Sequence, residues 1–367
     1  MLTSNIGVDI GSSSIKAVQC GAGRHRKKIL RAAQMPLPER AVVAGEIRDI
    51  QAVSETLRAL RKRGGFTGRT AVIGLSGSQT LVRQVDLPWE VKRTFRAALP
   101  LRLAHELPAD SSEMVLDYYP LREHEQRGLL TQNALIVGAM NAASENAVAA
   151  LRKARMHPRR ADYSPFALIR ADVACDDEWT HVPHLNDADD HPACVIIDIG
   201  AQMTTVIVHD DGRPQFIRAV PVGSFAVTQA LADQLRLDIR VAEGLKKQLG
   251  LGAVAPAESR DDNDAPDAVK RAGQQVINAM AGSLVQVARE SVEYFFSATG
   301  HDAGTKRVTL TGGGALLPGL VDRVAAEMKA PAAPLRSLGD SSSVRMSDDT
   351  LDPVYATAHG LAMKVGR

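Results

Sequence analysis

The first residues with specific chemistry lie near the N-terminus, where an apolar segment predicted to be a strand ends at Asp9. A turn of glycine and serine follows, and a lysine stands just beyond it in a second predicted strand. The N–H groups and hydroxyls of such a turn donate hydrogen bonds, and the lysine adds positive charge, so the pattern favours binding of phosphate oxygens. The predicted phosphate-binding residues of this turn are Gly11, Ser12, Ser13, Ser14 and Lys16.

Asp9 has a different predicted role, because a carboxylate and a phosphate repel each other. A Mg²⁺ ion between them, usually bound through water, removes that repulsion. Nearly the same pattern returns at Asp198, where a second apolar strand ends in Asp-Ile-Gly and a turn of small and hydroxyl residues leads into another strand. We therefore expect Asp9 and Asp198 to hold the water shell of one Mg²⁺ ion between two related lobes. The second predicted phosphate-binding turn comprises Gly200, Ala201, Gln202, Thr204 and Thr205.

A third segment runs from an apolar strand into Gly312, Gly313 and Gly314, followed by Leu317. Glycine has no Cβ and reaches positive φ, so this backbone can approach a flat ligand such as adenosine. A single Asp-x-Gly turn is most often an ordinary β-turn. The three segments together, in this order, resemble the actin-like ATPase superfamily. The resemblance implies an α/β fold of two ribonuclease-H-like lobes, with ATP and Mg²⁺ as cofactors in the cleft between them.

Composition describes an ordinary globular chain and gives no reason to expect nucleic-acid binding. Of 367 residues, 45% are hydrophobic and 23% charged, and the formal net charge is +2. The basic run Arg58 to Arg63 is expected on a solvated face, with attraction to anionic lipid as the alternative. The three cysteines lack pairing or metal-site spacing, and we expect neither a signal peptide nor a membrane-spanning segment. These features predict a reduced, cytoplasmic protein.

Residues from about Leu87 to Met156 interrupt the order expected of the first lobe. They predict a helix, two strands and a second helix, which together form a small α+β subdomain at a point where most of the superfamily has none. Here the chain resembles the FtsA branch and, more closely, the type IV pilus assembly protein PilM family. The segments that carry this resemblance are LPWEVKRTFRAALPLRLAHELPADSSEMVLDYYPL, ALIVGAM and VEYFFSA. An α+β insert without special function is the alternative.

The predicted domain boundaries follow from these assignments. They are residues 1–87 and 157–175 for the first lobe core, 88–156 for the inserted subdomain, 176–192 for an acidic linker, 193–224 and 305–351 for the second lobe core, 225–304 for the outer part of the second lobe, and 352–367 for a connecting C-terminal helix.

Two further site assignments are carried over from the superfamily. Glu243 and Lys246 match a helix that approaches adenine and ribose, with an exposed Glu–Lys helix face as the alternative. Hydrolysis needs a side chain from the lobe-connecting segment that positions the attacking water, and that segment here offers Asp162 or Ser164, whereas actin uses a glutamine. The turn at Gln202 also departs from the commoner Gly-Ala-Thr/Ser pattern. We therefore take Asp162 as the candidate catalytic residue and predict binding of Mg·ATP with slow turnover.

The resemblance to PilM also implies a partner. In that family the inserted subdomain and the first lobe form a groove that holds the short cytoplasmic N-terminal peptide of the inner-membrane protein PilN, so the chain is expected at the cytoplasmic face of that membrane. Capture of a peptide in a groove uses exposed apolar side chains. The predicted groove residues, for which the core of the subdomain is the alternative position, are Phe95, Leu99, Leu103, Val115 and Tyr118.

Other functions and sites stay open on the sequence. An FtsA-like filament-forming protein and a small-molecule kinase of the same superfamily are the alternative functions. The acidic linker contains His181, His184 and His191, which suggest a metal site, but its polar, turn-rich composition favours a solvated connection. The chain stops soon after its last predicted helix, which is expected of the PilM family rather than of FtsA.

Overall fold

The computed structural model divides the protein into two mixed α/β lobes and a smaller inserted sheet. Strand pairing defines a six-stranded sheet in the first lobe, a five-stranded sheet in the second lobe, a three-stranded sheet between residues 80 and 140, and a short two-stranded hairpin. The structure describes residues 5–21, 28–88, 92–103, 113–126, 128–175, 192–252, 265–300, 303–336, 345–346 and 353–363.

The first lobe begins with an antiparallel meander of β1, β2 and β3, continues through a small β4–β5 hairpin and helix α1, and adds strands parallel to β1. Asp49 caps α1, because its carboxylate accepts a hydrogen bond from the Ala52 N–H group at 2.9 Å. The bounds are β1 Ile6–Ile10, β2 Ser14–Cys20, β3 Ile29–Pro36, β4 Val42–Val43, β5 Glu46–Ile47, α1 Ile50–Arg63 and β6 Thr70–Leu75.

The inserted sheet has the order β7-β9-β8, with α2 against one face. Its bounds are β7 Thr80–Pro88, α2 Lys92–Arg102, β8 Met114–Gln126 and β9 Leu129–Met140; α3 Asn141–Lys153, β10 His157–Tyr163 and α4 Ser164–Ala174 follow. The first-lobe sheet then has the order β10-β6-β1-β2-β3, with one more short strand beside β3.

The second lobe repeats the meander and carries most of the remaining helices. Its sheet has the order β13-β12-β11-β14-β15, with β14 parallel to β11. The bounds are β11 Ala193–Ile199, β12 Thr204–Asp210, β13 Arg213–Val220, α5 Ser224–Leu235, α6 Ile239–Leu249, α7 Ala265–Thr299, β14 Thr305–Thr311, a 3-10 helix Gly313–Leu316, α8 Leu320–Met328 and β15 Ala332–Pro334. After the second-lobe sheet, the chain forms β16 Arg345–Met346, a 3-10 helix Pro353–Tyr355 and α9 Ala356–Ala362.

Helix α9 packs against β1, β2, β6 and α4, and all of its residues are buried. Two glycines permit this packing. A Cβ on Gly7 of β1 would collide with the Ala358 carbonyl, and a Cβ on Gly360 would collide with the Ala167 carbonyl of α4. The backbones of β1, α9 and α4 therefore approach closely, which fixes α4 beside the first-lobe sheet.

A buried charge cluster fixes the other end of α4 to the second lobe. Arg307 of β14 donates from Nη1 and Nη2 to the two Asp172 oxygens at 2.9 and 2.6 Å, and the His209 Nε2 atom lies 3.0 Å from Asp172 Oδ2. Burial acts to raise the pKa of Asp172, but the hydrogen bonds from His209 and Arg307 outweigh it and hold that pKa below its ordinary range. Helix α4 thus connects the lobes through close packing at one side and a charge cluster at the other.

The structure locates three boundary segments differently from the expected scheme. Strand β7 pairs with β9 and not with the first-lobe sheet, so the inserted sheet begins before residue 88. Helix α3, expected inside the insert, packs its buried alanines and Leu151 into the first-lobe core with α1. Strand β16 pairs with β3, so the chain returns to the first lobe before residue 352. Pairing partners far along the chain cause these differences. Residues 176–191 of the expected acidic linker, with its three histidines, lie outside the described part of the chain.

Candidate functional site

The first Asp-x-Gly hairpin places Asp9 and Lys16 directly opposite each other on β1 and β2. Lys16 Nζ lies 3.4 Å from Asp9 Oδ2, and both side chains are partly exposed. The turn between the strands is closed by a hydrogen bond from the Gly11 N–H group to the Ser14 carbonyl at 3.1 Å. Ser12 is half-buried and Ser13 is exposed, so this turn presents polar groups to a ligand.

Ser14 differs from the other two serines of the turn. It is buried, and its Oγ atom accepts a hydrogen bond from Gln34 Nε2 at 2.9 Å. Its hydroxyl is therefore directed to β3. Antiparallel pairing places Ser14 in β2 and not in the turn, so its assignment to a phosphate stays a prediction.

The second hairpin is built in the same way but is connected to its neighbours. The Gly200 N–H group donates to the Met203 carbonyl at 2.9 Å. The Ser224 and Phe225 N–H groups at the start of α5 donate to the Gly200 and Ala201 carbonyls at 2.9 and 2.8 Å. The first turn of α5 therefore rests on the hairpin, and movement of one is coupled to the other.

The sequence predicted Thr204 and Thr205 in a phosphate-binding turn, but the structure places both in a strand. Both are buried in the first residues of β12. Thr204 Oγ1 donates to the Val222 carbonyl at 2.7 Å, which fixes the connection between β13 and α5. The sequence assignment for the Thr204 hydroxyl is therefore wrong, because the hydroxyl donates its hydrogen to the Val222 carbonyl.

The side chain of Gln202 bridges the lobes. Its Oε1 atom accepts a hydrogen bond from the Ala44 N–H group at 2.6 Å. Ala44 lies in the turn between β4 and β5 of the first lobe and has a positive φ of 47°. The Ala44 carbonyl in turn accepts from the Ser78 N–H group at 3.0 Å. The residue that departs from the usual superfamily pattern thus joins the second hairpin to a turn of the opposite lobe.

Asp198 and Asp9 come from different lobes and interact electrostatically. Burial, first, and the Asp9 charge, second, raise the pKa of Asp198 to about 6, against the opposing effects of Thr311 and Lys16. Thr311 Oγ1 donates to Asp198 Oδ1 at 2.9 Å. A buried carboxylate whose pKa is raised by a neighbouring negative charge lies in a site that a divalent cation stabilises.

The glycine-rich turn that begins at Gly312 packs against Asp198 and Ile199 of the same site. Gly312 has a φ of +81°, and a Cβ there would stand 2.7 Å from Asp198 Oδ1, so only glycine fits. A Cβ on Gly313 would meet no atom within 4 Å, whereas one on Gly314 would collide with Ile199. Gly313 therefore offers open backbone beside Asp198. Leu317 is half-buried and packs between the second-lobe sheet and α7, so it supports the turn.

Glu243 and Lys246 form an internal network rather than an open pair. Lys246 Nζ lies 2.7 Å from Glu243 Oε2 and donates to Thr228 Oγ1 at 2.8 Å and to the Ser224 carbonyl at 3.2 Å. An ammonium has three N–H donors, and these contacts occupy them. Lys246 is also buried. The assignment of Lys246 to the nucleotide is therefore wrong, since the lysine joins α6 to α5.

Charge effects agree with that structural role. Burial lowers the pKa of Lys246, and the Glu243 carboxylate opposes the shift. Burial raises the pKa of Glu243, but the hydrogen bonds from Lys246 and Thr228 outweigh it and leave that pKa below its ordinary value. Glu243 remains half-buried at the surface, so a role for its carboxylate beside a ribose stays a prediction.

Asp162 is held by two arginines. Its Oδ2 atom accepts from Arg170 Nη2 at 2.6 Å and from Arg160 Nη2 at 3.2 Å, and Arg170 Nε donates to the Gly360 carbonyl at 3.2 Å. Both arginines contact the same Asp162 oxygen, so the geometry does not support Asp162 as the group that activates water. Ser164, the alternative, is buried, and its Oγ atom has no partner among the described residues.

The predicted groove residues fall on two different surfaces. Leu99 and Leu103 are buried between α2 and the inserted sheet, and Tyr118 packs against the same cluster. Val115 alternates to the opposite face and is 58% exposed. The groove assignment is wrong for Leu99 and Leu103, which belong to the subdomain core. The side chain of Phe95 lies outside the described part of the structure.

Sequence reasoning missed the residues whose partners are distant along the chain. They include Thr311 beside Asp198, Ala44 beside Gln202, and the Asp172–Arg307 pair. A signal existed for Asp172, because it stands in a mostly apolar helix, and a buried charge needs a partner.

The site has the donors that Mg²⁺ and a nucleotide require. Magnesium in nucleotide sites uses one or two carboxylates together with phosphates and water, and Asp9 and Asp198 supply two. Among the described residues, no group of three or more His, Cys, Asp and Glu side chains forms a metal cluster. The carboxylate pair, Lys16 and the open backbone at Gly313 therefore fit Mg·ATP.

Comparisons with known proteins identify related chains. A family model described as type IV pilus assembly protein PilM matches residues 7–365. The cell division protein FtsA of Borreliella burgdorferi is 20% identical over 371 residues, which cover 97% of this chain and 84% of that protein. FtsA of Agrobacterium fabrum is 32% identical over 140 residues, but these span only 35% of this chain and 30% of that protein.

Solved structures show the same fold. A chain of the PilM-PilN type IV pilus biogenesis complex matches with a TM-score of 0.77 and 20% identity, over 99% of this chain and 98% of that chain. The ethanolamine utilization protein EutJ from Carboxydothermus hydrogenoformans matches with a TM-score of 0.56 and 14% identity, over 98% and 89% of the two chains. The predicted actin-like fold is confirmed. Within the described residues, no helix has both the length and the apolar character needed to cross a bilayer.

Proposed function

The chain belongs to the type IV pilus assembly protein PilM family, and we propose that it is a nucleotide-controlled platform of the pilus assembly machinery. It binds Mg·ATP between its lobes and the N-terminal cytoplasmic peptide of a PilN-like inner-membrane protein. The similarity to a chain solved in a PilM-PilN complex supports the class of partner. Binding such a peptide places the protein at the cytoplasmic face of the inner membrane.

The observation that carries nucleotide binding is the pair of Asp-x-Gly hairpins on opposite lobes, with Asp9 beside Lys16 in the first and Asp198 bound to Thr311 in the second. Mg²⁺ bound with ATP supplies the charge neutralisation that lets phosphates lie beside these carboxylates. Lys16 balances phosphate charge from the first lobe, and the turn at Ser12 and Ser13 offers donors that its own closure does not use. Ligand contacts to both hairpins join the lobes, so binding favours a closed arrangement.

We further propose that turnover is slow. Two arginines already engage the Asp162 carboxylate in ion pairs, and efficient hydrolysis needs a free group that orients the attacking water. The nucleotide then acts as a conformational switch or as a cofactor that stabilises the fold.

The first test is calorimetric titration of Mg·ATP into the wild type and Asp9→Ala. We expect the variant to lose measurable binding, because removal of the Asp9 carboxylate leaves Mg²⁺ with one protein carboxylate. Asp233→Ala removes an exposed carboxylate from α5 and is the matched control, which should bind like the wild type. Equal binding by Asp9→Ala and the wild type would show that the carboxylate pair is not the site.

The second test addresses the partner. We expect Val115→Asp to weaken binding of the N-terminal peptide of a PilN-like protein by roughly tenfold, about the effect of losing one buried apolar side chain. Val241→Asp is the control, because Val241 is 56% exposed on the second lobe. If both variants bind the peptide like the wild type, Val115 does not line the groove. A peptide that leaves ATP affinity unchanged would argue against coupling, since linkage between two sites is reciprocal.

A further inference from the structure

A basic depression lies on the first lobe, away from the carboxylate cleft. It has a volume of about 790 Å³, and its lining includes Arg58, Arg61, Lys62, Arg69 and Arg155. Among the described residues that line it, none is acidic. This concentration of positive charge contrasts with a chain whose formal net charge is only +2.

Strand direction separates this depression from the cleft. Strands β1 and β6 run parallel, with Ile6 beside Ala71 and Val8 beside Ile73. Asp9 follows at the carboxyl end of β1, whereas Arg69 precedes the amino end of β6. The depression and the Asp9 site therefore lie at opposite ends of the parallel strands β1 and β6.

The walls of the depression are held in place. Arg58 Nε and Nη2 donate to the Lys153 carbonyl at 3.1 and 2.7 Å, which joins the end of α1 to the end of α3. Arg155 has a positive φ of 56°, a conformation that costs a residue with a Cβ about 1–2 kcal/mol. Backbone geometry at this position favours Gly or Asn, yet the chain has an arginine there.

Helix dipoles alone do not account for the cluster. Basic residues in the last turn of a helix gain about 0.3–1 kcal/mol from the negative helix terminus, and this explains Arg61 and Lys62 of α1. Arg69 belongs to neither helix, since it leads into β6. The charges converge from three separate segments on one concavity.

We propose that this depression binds a small anion that carries clustered phosphates. Guanidinium groups match phosphate oxygens in paired hydrogen bonds, which explains an excess of arginine over lysine. The volume is in the range of small-molecule sites, about 300–1,000 Å³, and the concave shape suits a compact polyanion better than a flat bilayer. Phe66, a half-buried ring in the lining, adds an apolar surface beside the charges.

The test is calorimetric titration of inorganic tripolyphosphate into the full chain. We expect the double variant Arg61→Gln/Arg69→Gln to weaken binding by roughly tenfold for each guanidinium removed, or about 1.4 kcal/mol each. Arg218→Gln, which removes an exposed arginine from the second lobe, should bind like the wild type. Lys16→Ala disables the cleft and should leave tripolyphosphate binding intact. Thermal unfolding of each variant verifies that it is folded.

Several outcomes would overturn the proposal. One is equal binding by the double variant and the wild type, and another is loss of binding in Lys16→Ala, which would place the anion in the cleft. Equal competition by poly-glutamate would show attraction to any negative charge. Vesicles with and without phosphatidylinositol phosphates separate a lipid headgroup from a soluble phosphate. If vesicles with these lipids retain the wild type but not the double variant, and tripolyphosphate does not bind, the same phosphate chemistry is assigned to a lipid.

Discussion

The two Asp-x-Gly hairpins share a sequence pattern but use their polar groups differently. In the first hairpin, Ser13 is exposed and Ser12 is half-buried, in the turn that precedes Lys16, so this turn faces outward. In the second, the Gly200 and Ala201 carbonyls accept hydrogen bonds from the start of α5. Both turns accept hydrogen bonds from their own lobe, but the first is bound through the Ser13 carbonyl to the Leu37 N–H group after β3, whereas the second is bound at two carbonyls to the start of a helix.

The second hairpin also contacts the opposite lobe, through Gln202 and Ala44. A phosphate that moves this hairpin would move α5 and change the contact between the lobes. We infer that the first hairpin mainly holds the nucleotide, whereas the second transmits its presence. Three predictions test this difference.

The largest expected effect is on stability, from Thr204→Val. Thr204 is fully buried, and its hydroxyl donates to the Val222 carbonyl. Removing the donor takes the Thr204 partner from the Val222 carbonyl in this part-buried hydrogen bond, which costs about 1–3 kcal/mol. The matched change in the first hairpin, Ser12→Ala, should alter the free energy of unfolding by less than about 0.5 kcal/mol. Urea titration of both variants measures the difference, and equal stabilities would contradict it.

The next effect is on pH dependence, through Asp198. Its pKa is raised to about 6 by burial and by Asp9, so the native apo protein binds this proton more tightly than the unfolded chain does. The stability that this proton provides is complete below the unfolded pKa and is lost as the pH rises through about 6. Mg²⁺ needs the ionised carboxylate, so Mg·ATP affinity should rise roughly tenfold between about pH 5 and pH 7.

Asp198→Asn is the variant for this prediction. It should bind Mg·ATP weakly at every pH and lose the rise in affinity. Calorimetry at several pH values in one buffer series measures the slope. A wild-type affinity that is flat across this range would show that Asp198 does not titrate in the site.

Local pattern was enough to predict the elements that build both hairpins. The apolar strands around Asp9 and Asp198 were recognisable because each ends in the same small-residue turn, and α1 was recognisable from the helical spacing of Val53, Leu57 and Leu60. Short-range chemistry of this kind is encoded within a few residues of the sequence.

The uses of individual side chains could not be predicted in the same way. Lys246 looked like an open ligand-binding lysine, but its partners Thr228 and Ser224 lie on another helix. Leu99 and Leu103 looked like groove residues until the sheet that covers them was known. Helical spacing identifies an apolar face and does not say what covers it.

The smallest expected effect, and the most direct test of transmission, comes from Gln202→Met. This variant keeps the length of the side chain and removes the Oε1 acceptor of the Ala44 N–H group. One hydrogen bond is worth about 1 kcal/mol, so Mg·ATP affinity should fall roughly fivefold if the bond favours the closed lobes. Hydrogen exchange at the Ala44 amide should accelerate, and the exposed Gln248→Met of α6 is the control. Faster exchange with unchanged affinity would mean that the contact joins the lobes without sensing the nucleotide, and the two hairpins would then differ in packing alone.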